Sequence, residues 1–286
     1  MATKVLILGA SGMLGNAALR VFSEDERFMV IGTLRTPSLM NFFPKEVVSR
    51  LVVIPDIESL DGLASLFCSY KPEVVINCIG LVKQLSESNT PLSAIPINSL
   101  LPHRLASICS LVGARLIHMS TDCVFSGKQG KYIESDFPDA NDLYGRSKYL
   151  GEVDYPNAIT LRTSIIGHEI SGHRSLIGWF LNQEEKVTGF KNAIFSGLPT
   201  VEVSRVIKDY VVPNENLHGV YHLSAMPINK FDLLTLVAKE YGKDIKIESD
   251  EEFKIDRSLD STRFQKVTGY KPASWPVLVK EMQKFH

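Results

Sequence analysis

Lys4-Val-Leu-Ile-Leu-Gly9-Ala-Ser-Gly12-Met-Leu-Gly15 is the stretch from which the fold can be read. The apolar run Val5 to Leu8 makes a short buried strand, and glycines spaced three apart follow it directly. A helix then runs through about Phe22. Strand, glycine turn and helix in this order form G-x-x-G-x-x-G, a spacing variant of the dinucleotide fingerprint. Glycine permits the tight turn and brings a pyrophosphate close to the backbone at the helix N-terminus, where anions are favoured. Gly9, Ser11, Gly12, Met13, Leu14 and Gly15 are therefore the first candidate cofactor contacts. An ordinary glycine-rich turn would look the same locally, so the next strand decides.

That strand is Met29 to Leu34, and it ends at Arg35. An NAD-binding chain carries Asp or Glu about 20 residues past the glycines. A carboxylate would repel a 2′-phosphate, whereas a guanidinium pairs with it, so NADP(H) is the expected cofactor. The Pro-containing segment Thr36 to Lys45 reads as an irregular loop, and Leu51 to Ile54 as the third strand. Asp56 at its end is placed to meet the adenine. Leu60 to Tyr70 is helical, and the strand Glu73 to Asn77 runs into Cys78-Ile79-Gly80, small enough for a cofactor to pass. Lys83 and Gln84 follow in a loop, where Lys83 is either a solvated lysine or a contact to a substrate phosphate.

A long helix, Ile97 to Val112, begins near Asn98, a further candidate on the cofactor side. The strand Arg115 to Met119 delivers Ser120-Thr121-Asp122 at its carboxyl end, where open α/β sheets place their ligands. A Gly-, Asp- and Pro-rich loop from Phe125 to Leu143 is long enough to wall one side of a site. Helix Leu143 to Val153 then carries Tyr144 and Lys148 one turn apart on one face. A phenol is a poor acid near neutrality, with an ordinary pKa of about 10. A neighbouring ammonium favours its phenolate and can also hold a ribose hydroxyl. Tyr-x-x-x-Lys alone is an ordinary exposed helix face. Behind a glycine turn and a Ser-Thr-Asp strand end, it becomes a catalytic candidate.

With 286 residues, 44% of them hydrophobic, the chain can bury a large core. The formal net charge of −1, without long basic runs, points away from nucleic acid and acidic membrane surfaces. No apolar run approaches the roughly 18 residues a membrane span needs, and Val5 to Leu8 is too short for a signal-peptide core. Cys68, Cys78, Cys109 and Cys123 form no C-x-x-C pair and read as reduced core residues of a cytoplasmic protein. His168 and His173 lack metal-ligand spacing. Neither G-x-S-x-G nor a Walker A sequence occurs.

The β-α alternation predicts an α/β fold: a right-handed, parallel, doubly wound sheet of Rossmann type. Strand Ala158 to Leu161 closes the first part, residues 1–164. Residues 165–286 read as a smaller substrate-binding lobe, some of whose elements interleave with the first part. Its expected elements are the helix Leu176 to Gln183 with Trp179 and Phe180, the turn Ser196 to Thr200, the helix Val203 to Val211, the strand His218 to Leu223 and the helix Asn229 to Tyr241.

Taken together, the glycine turn, Ser120-Thr-Asp-x-Val-Phe125, Tyr144-x-x-x-Lys148, Leu161-Arg-Thr-Ser164, Gly197-Leu-Pro-Thr200, Gly219-Val-Tyr-His222 and the Asp256 to Arg263 tail resemble an extended short-chain dehydrogenase/reductase. The resemblance is to the dTDP-4-dehydrorhamnose reductase branch, runs nearly end to end and is more specific than any one piece. It implies an NADPH-dependent oxidoreductase reducing a nucleotide-linked 4-keto-6-deoxy sugar for polysaccharide precursors, with a homodimer as an open expectation. By resemblance, Tyr144 protonates the sugar carbonyl oxygen, Lys148 binds the nicotinamide ribose and tunes Tyr144, and Thr121 hydrogen-bonds the reacting oxygen. Asp122 contacts the sugar, while Asp56, Ile57, Cys78, Ile79 and Gly80 line the cofactor. The branch has tyrosine at the Cys123 position and an aromatic residue at the Ile165 position near the substrate, so a UDP-linked 2-acetamido-2,6-dideoxy-4-keto hexose fits as well as dTDP-4-dehydrorhamnose. Either the pocket has lost a stacking surface at Ile165 and discriminates poorly on the base or favours a uridine nucleotide, or Ile165 packs against the sheet and another residue, Trp179 or Phe180, holds the base. Two other readings stay open: an epimerase or 4,6-dehydratase of the same fold, and a non-catalytic regulatory subunit. The dehydratases follow Thr-Asp with a glutamate, and Cys123 cannot replace that acid. Intact Thr121, Tyr144 and Lys148 favour an enzyme.

Overall fold

A computed structural model describes residues 2–83 and 86–286; Gln84, placed above in the Lys83 loop, lies outside the described residues. In chain order the strands are β1 (Thr3–Leu8), β2 (Phe28–Leu34), β3 (Leu51–Val53), β4 (Val74–Asn77), β5 (Arg115–Thr121) and β6 (Ala158–Thr163). After these come β7 (Ile165–Ile166), β8 (Lys186–Phe195), β9 (Leu198–Pro199), β10 (Gly219–His222), β11 (Ile228–Asn229) and β12 (Lys246–Asp256). Among the described residues, seven strands form one sheet in the order β10-β6-β5-β4-β1-β2-β3, and every pairing in it is parallel. Such a sheet must be covered on both faces, which is why β4 and β6 are buried along their whole length.

The helices are α1 (Met13–Ser23), α2 (Lys45–Val48), α3 (Leu60–Tyr70), α4 (Pro91–Ala94), α5 (Leu101–Val112), α6 (Leu143–Leu150), α7 (Leu176–Leu181), α8 (Thr200–Val206), α9 (Lys230–Glu240), α10 (Thr262–Thr268) and α11 (Trp275–Lys284). Side chains of β1 alternate between the two covers. Val5 and Ile7 join Leu14, Leu19 and Phe22 of α1, while Leu6 and Leu8 join Leu63 and Phe67 of α3 and Leu101 and Leu105 of α5. The strand order reverses between β1 and β4, and the turn after β1 opens into that crevice. Doubly wound sheets take ligands there.

Several boundaries differ from the sequence reading, each for a local reason. The segment read as the loop Thr36 to Lys45 carries a 3-10 turn at Pro37–Phe42 before α2. The long helix expected from Ile97 instead begins as a π-type turn, Ile95–Leu100, ahead of α5. Helix α6 stops at Leu150 rather than Val153, because Gly151 lies directly against the Asn98 backbone, where a side chain has no room. The expected helix Val203 to Val211 is α8 followed by a π-type turn, Ile207–Val211.

Residues 165–286 also hold strands that the sequence reading did not place. β8 and β12 pair in parallel, β11 adds antiparallel to β8, and α9 packs on β8. The interior of β12, Glu248 to Phe253, is almost wholly charged or polar on an exposed surface, so it lacks the alternation that marks a strand. β10 returns to the large sheet beside β6, and α8 packs on α1.

Candidate active site

The turn after β1 fits a dinucleotide by shape. Gly9 has φ +83° and donates its N–H to the Thr33 hydroxyl at 3.1 Å, and a Cβ there would press on Ile79 at 2.9 Å. Gly15 faces the Gly9 carbonyl so closely that any side chain would collide with backbone. Gly12 caps α1 with extended backbone and no side-chain cap, leaving the first N–H groups of an 11-residue helix for an anion. Arg35 is exposed at the end of β2, with no hydrogen-bond or ion-pair partner within the described residues. Asp56, exposed after β3, accepts from the Glu58 N–H at 2.9 Å. Ile57 packs against the α3–α5 side of the core.

Across the crevice, Asn77 accepts from the Ile79 N–H at 3.1 Å and so shapes the chain through Cys78. Asn98 is 1% exposed, accepts from the Leu81 N–H at 2.9 Å and donates to the Ser147 hydroxyl at 3.1 Å. It thereby ties the strand-four loop to α6. A Cβ on Gly80 would stand 3.4 Å from the Asn98 Oδ1 and 3.7 Å from the Lys148 Nζ, so Gly80, Asn98 and Lys148 border one space.

Helix α6 starts because Asp142 accepts from the Gly145 N–H at 2.7 Å, an N-cap that places Tyr144 in the first turn. The same carboxylate receives Lys83 Nζ at 2.6 Å, so Lys83 is anchored to the start of α6. Lys148 is 5% exposed and donates to the Met119 carbonyl at 2.7 Å. Burial lowers its pKa to about 8, against the pull of Glu152 and Cys78. Burial also pushes the Tyr144 phenol above its ordinary value; Cys123 and Asp122 add to this, and a Thr121 hydrogen bond opposes it.

Thr121 ends β5 and caps the turn Asp122–Val124, accepting from the Cys123 N–H at 3.1 Å. Asp122 is buried, which raises its pKa, and Arg257 offsets part of the rise. Thr121, Asp122, Cys123 and Tyr144 thus form one cluster. Ile165 lies on β7 against the main core. Trp179 is 37% exposed on α7, and its carbonyl accepts from the Gln183 side chain just past the end of that helix.

Sequence reading passed over three groups. Arg257 Nε donates to the Phe125 carbonyl at 2.8 Å, and its Nη1 lies 3.8 Å from the Cys123 sulfur. Asp142 acts as cap and anchor. Glu152 and Arg162 form a buried pair at 2.7 Å. The available signals were an arginine inside the apolar strand Ala158 to Thr163 and one in the tail, Asp256 to Arg263.

A glycine-turn crevice beside a Thr, Tyr and Lys cluster at a strand end defines an extended short-chain dehydrogenase/reductase. The model of the RmlD substrate binding domain matches residues 3–284, and the chain belongs to that family. It is 24% identical over 313 aligned positions to dTDP-4-dehydrorhamnose reductase of Aggregatibacter actinomycetemcomitans, with 99% of both chains covered. It is 30% identical over 149 residues to methionine adenosyltransferase 2 subunit beta of Xenopus laevis, covering 52% of this chain and 41% of that one. Its fold matches dTDP-4-dehydrorhamnose reductase of Bacillus anthracis in complex with NADP, at TM-score 0.78 and 20% identity over 99% of each chain.

Proposed function

We propose that this chain is an NADPH-dependent reductase that converts the keto group of a nucleotide-linked 4-keto-6-deoxy sugar to a hydroxyl. The observation that carries the reading is the meeting of Thr121, Tyr144 and Lys148 at the carboxyl end of β5, bordering Gly80. A bound nicotinamide supplies the hydride. Gly9 to Gly15 hold the pyrophosphate, Arg35 the 2′-phosphate, Asp56 and Ile57 the adenosine end, and Cys78, Ile79, Gly80 and Asn98 the nicotinamide end. Tyr144 gives its phenolic proton to the carbonyl oxygen, which Thr121 holds by hydrogen bond. Lys148 binds the ribose, and its cation favours the phenolate left behind. Asp122 contacts the sugar; Lys83, Ile165 and Trp179 line the rest of the substrate path, mostly on the lobe 165–286.

The substrate is dTDP-4-dehydrorhamnose or a UDP-2-acetamido-2,6-dideoxy-4-keto hexose, used in the cytoplasm for deoxysugar polymers. Cys123 and Ile165 keep both in contention. A second reading, an NADP(H)-binding regulatory subunit without turnover, draws on the partial match to methionine adenosyltransferase 2 subunit beta.

One assay separates the two. NADPH absorbance is followed over a panel of dTDP- and UDP-linked 4-keto-6-deoxy sugars, and cofactor affinities are measured by calorimetry. Turnover of at least one sugar is expected, with NADPH bound roughly tenfold or more tightly than NADH, as one charge-assisted contact supplies. Arg35→Asp should erase that preference. Tight NADPH binding with no oxidation across the panel would establish the regulatory reading instead.

A further inference from the structure

Behind the catalytic strand end runs a buried chain of charged and polar groups that the chemistry above leaves unused. Glu152 lies four residues past Lys148, just beyond the end of α6 at Leu150. Its side chain and that of Arg162 are each only 4% exposed. Arg162 grips the carboxylate with two bonds, Nε to Oε1 at 2.8 Å and Nη2 to Oε2 at 2.7 Å. Ser120 Oγ donates to the same Oε1 at 2.7 Å, so Glu152 also holds the residue just before Thr121. On its far side, Arg162 Nη1 meets His222 Nε2 at 3.3 Å, while His222 Nδ1 reaches the Tyr132 carbonyl at 3.0 Å and its N–H reaches Glu134 at 3.0 Å. Stability does not account for this arrangement, because apolar side chains of equal volume commonly do as well as a buried ion pair.

Resting on the reductase reading, we propose that Glu152 is a positioning residue: its locked carboxylate supplies the fixed negative charge that Lys148 needs, and it holds the Ser120-Thr121-Asp122 turn in place. Glu152 acts through these groups and touches no reacting atom. The groups facing Lys148 single it out. Cys78 directly follows β4, and burial pushes its thiol up to about 12, so it is uncharged near neutrality. His118 of β5 is held neutral, well below its ordinary value, first by burial and then by Lys148 itself. The Met119 carbonyl offers a dipole only. Against the burial that brings Lys148 down to about 8, the negative charge is that of Glu152, partly offset by its ion-pair partner Arg162.

The test reads the Lys148 titration directly, by NMR of isotope-labelled lysine assigned with Lys148→Arg, alongside the pH profile of kcat. In Glu152→Gln the titration and the alkaline limb of kcat move to lower pH by about one unit, the size of one close charge. At pH 8 kcat then falls about fivefold, as the protonated fraction of Lys148 drops from about a half to about a tenth, with little change in the sugar KM. Glu152→Asp keeps the charge and restores the limb. A merely structural role would lower the melting temperature and move neither. If Glu152→Gln does not fold, the paired Glu152→Met and Arg162→Met variant replaces both charges with apolar chains, and a smaller acidward shift is expected, because the Arg162 charge that partly offsets the carboxylate leaves with it. An unmoved titration in either variant, or an equal shift in Glu152→Asp, overturns the proposal. The titration needs no turnover, so inactivity toward every sugar would count against the reductase reading alone.

Discussion

In the proposed mechanism, Tyr144 is where a single proton decides the chemistry. Replacing it with phenylalanine keeps the ring and removes the proton, so turnover should fall by about a hundredfold or more, as for a lost general acid. Cofactor affinity, measured by calorimetry, should stay near the parent value. A variant that reduces the best sugar at the parent rate would show that another group is the acid. Tyr144 and Lys148 were legible because four-residue spacing on a helix is visible in any sequence. What the sequence hid is their state: the phenol is pushed up by burial and Lys148 is bonded to the Met119 carbonyl. Burial belongs to the fold, and no motif carries it. Arg257 was hidden for a related reason, since 134 positions separate it from Cys123 and only the folded tail brings them together.

Among the elements, the β1-turn-α1 unit was the easiest to read, because its constraint is steric and local. Gly15→Ala would drive a methyl into the Gly9 carbonyl, and neither partner is a flexible side-chain end. The cost should be about 1–3 kcal/mol, as for other overpacked sites. Thermal melting should show the loss, and NADPH affinity should drop with it, since the same turn is the proposed seat of the pyrophosphate. Normal binding with a normal midpoint would mean the turn can shift aside freely. β8 and β12 stand at the other extreme. Gly189 and Asn192 interrupt the apolar positions of β8, and β12 is mostly exposed and charged. They are strands because they pair with each other, a long-range fact that neither segment signals alone.

At the scale of the molecule, the site is bought with stability. Lys148 titrates near 8 when folded against an ordinary 10.5, so the unfolded chain holds the extra proton between those values. Stability linked to this group is therefore lowest below pH 8 and recovers as pH rises toward 10.5. Lys148→Met should melt higher than the parent at pH 7, and the gap should close as the pH is raised through that window. A constant gap would show that the buried ammonium costs nothing. His222, held down to about 3 by burial and then by Arg162, works in the same direction over a lower window: below its ordinary 6.5 the unfolded chain takes up the proton first, and acid weakens the fold. The doubly wound sheet was legible from its alternation of elements; the return of β10 to it was not, because a strand names no neighbour. That return also bears on how the protein is made. The outer edge of β6 has its partner only once residues 219–222 exist, so a nascent chain leaving the ribosome carries an open edge until most of its length has been synthesised. Completion of the sheet is thus timed by translation, and the proposed catalytic residues on β5 and α6 wait on a strand encoded well after both.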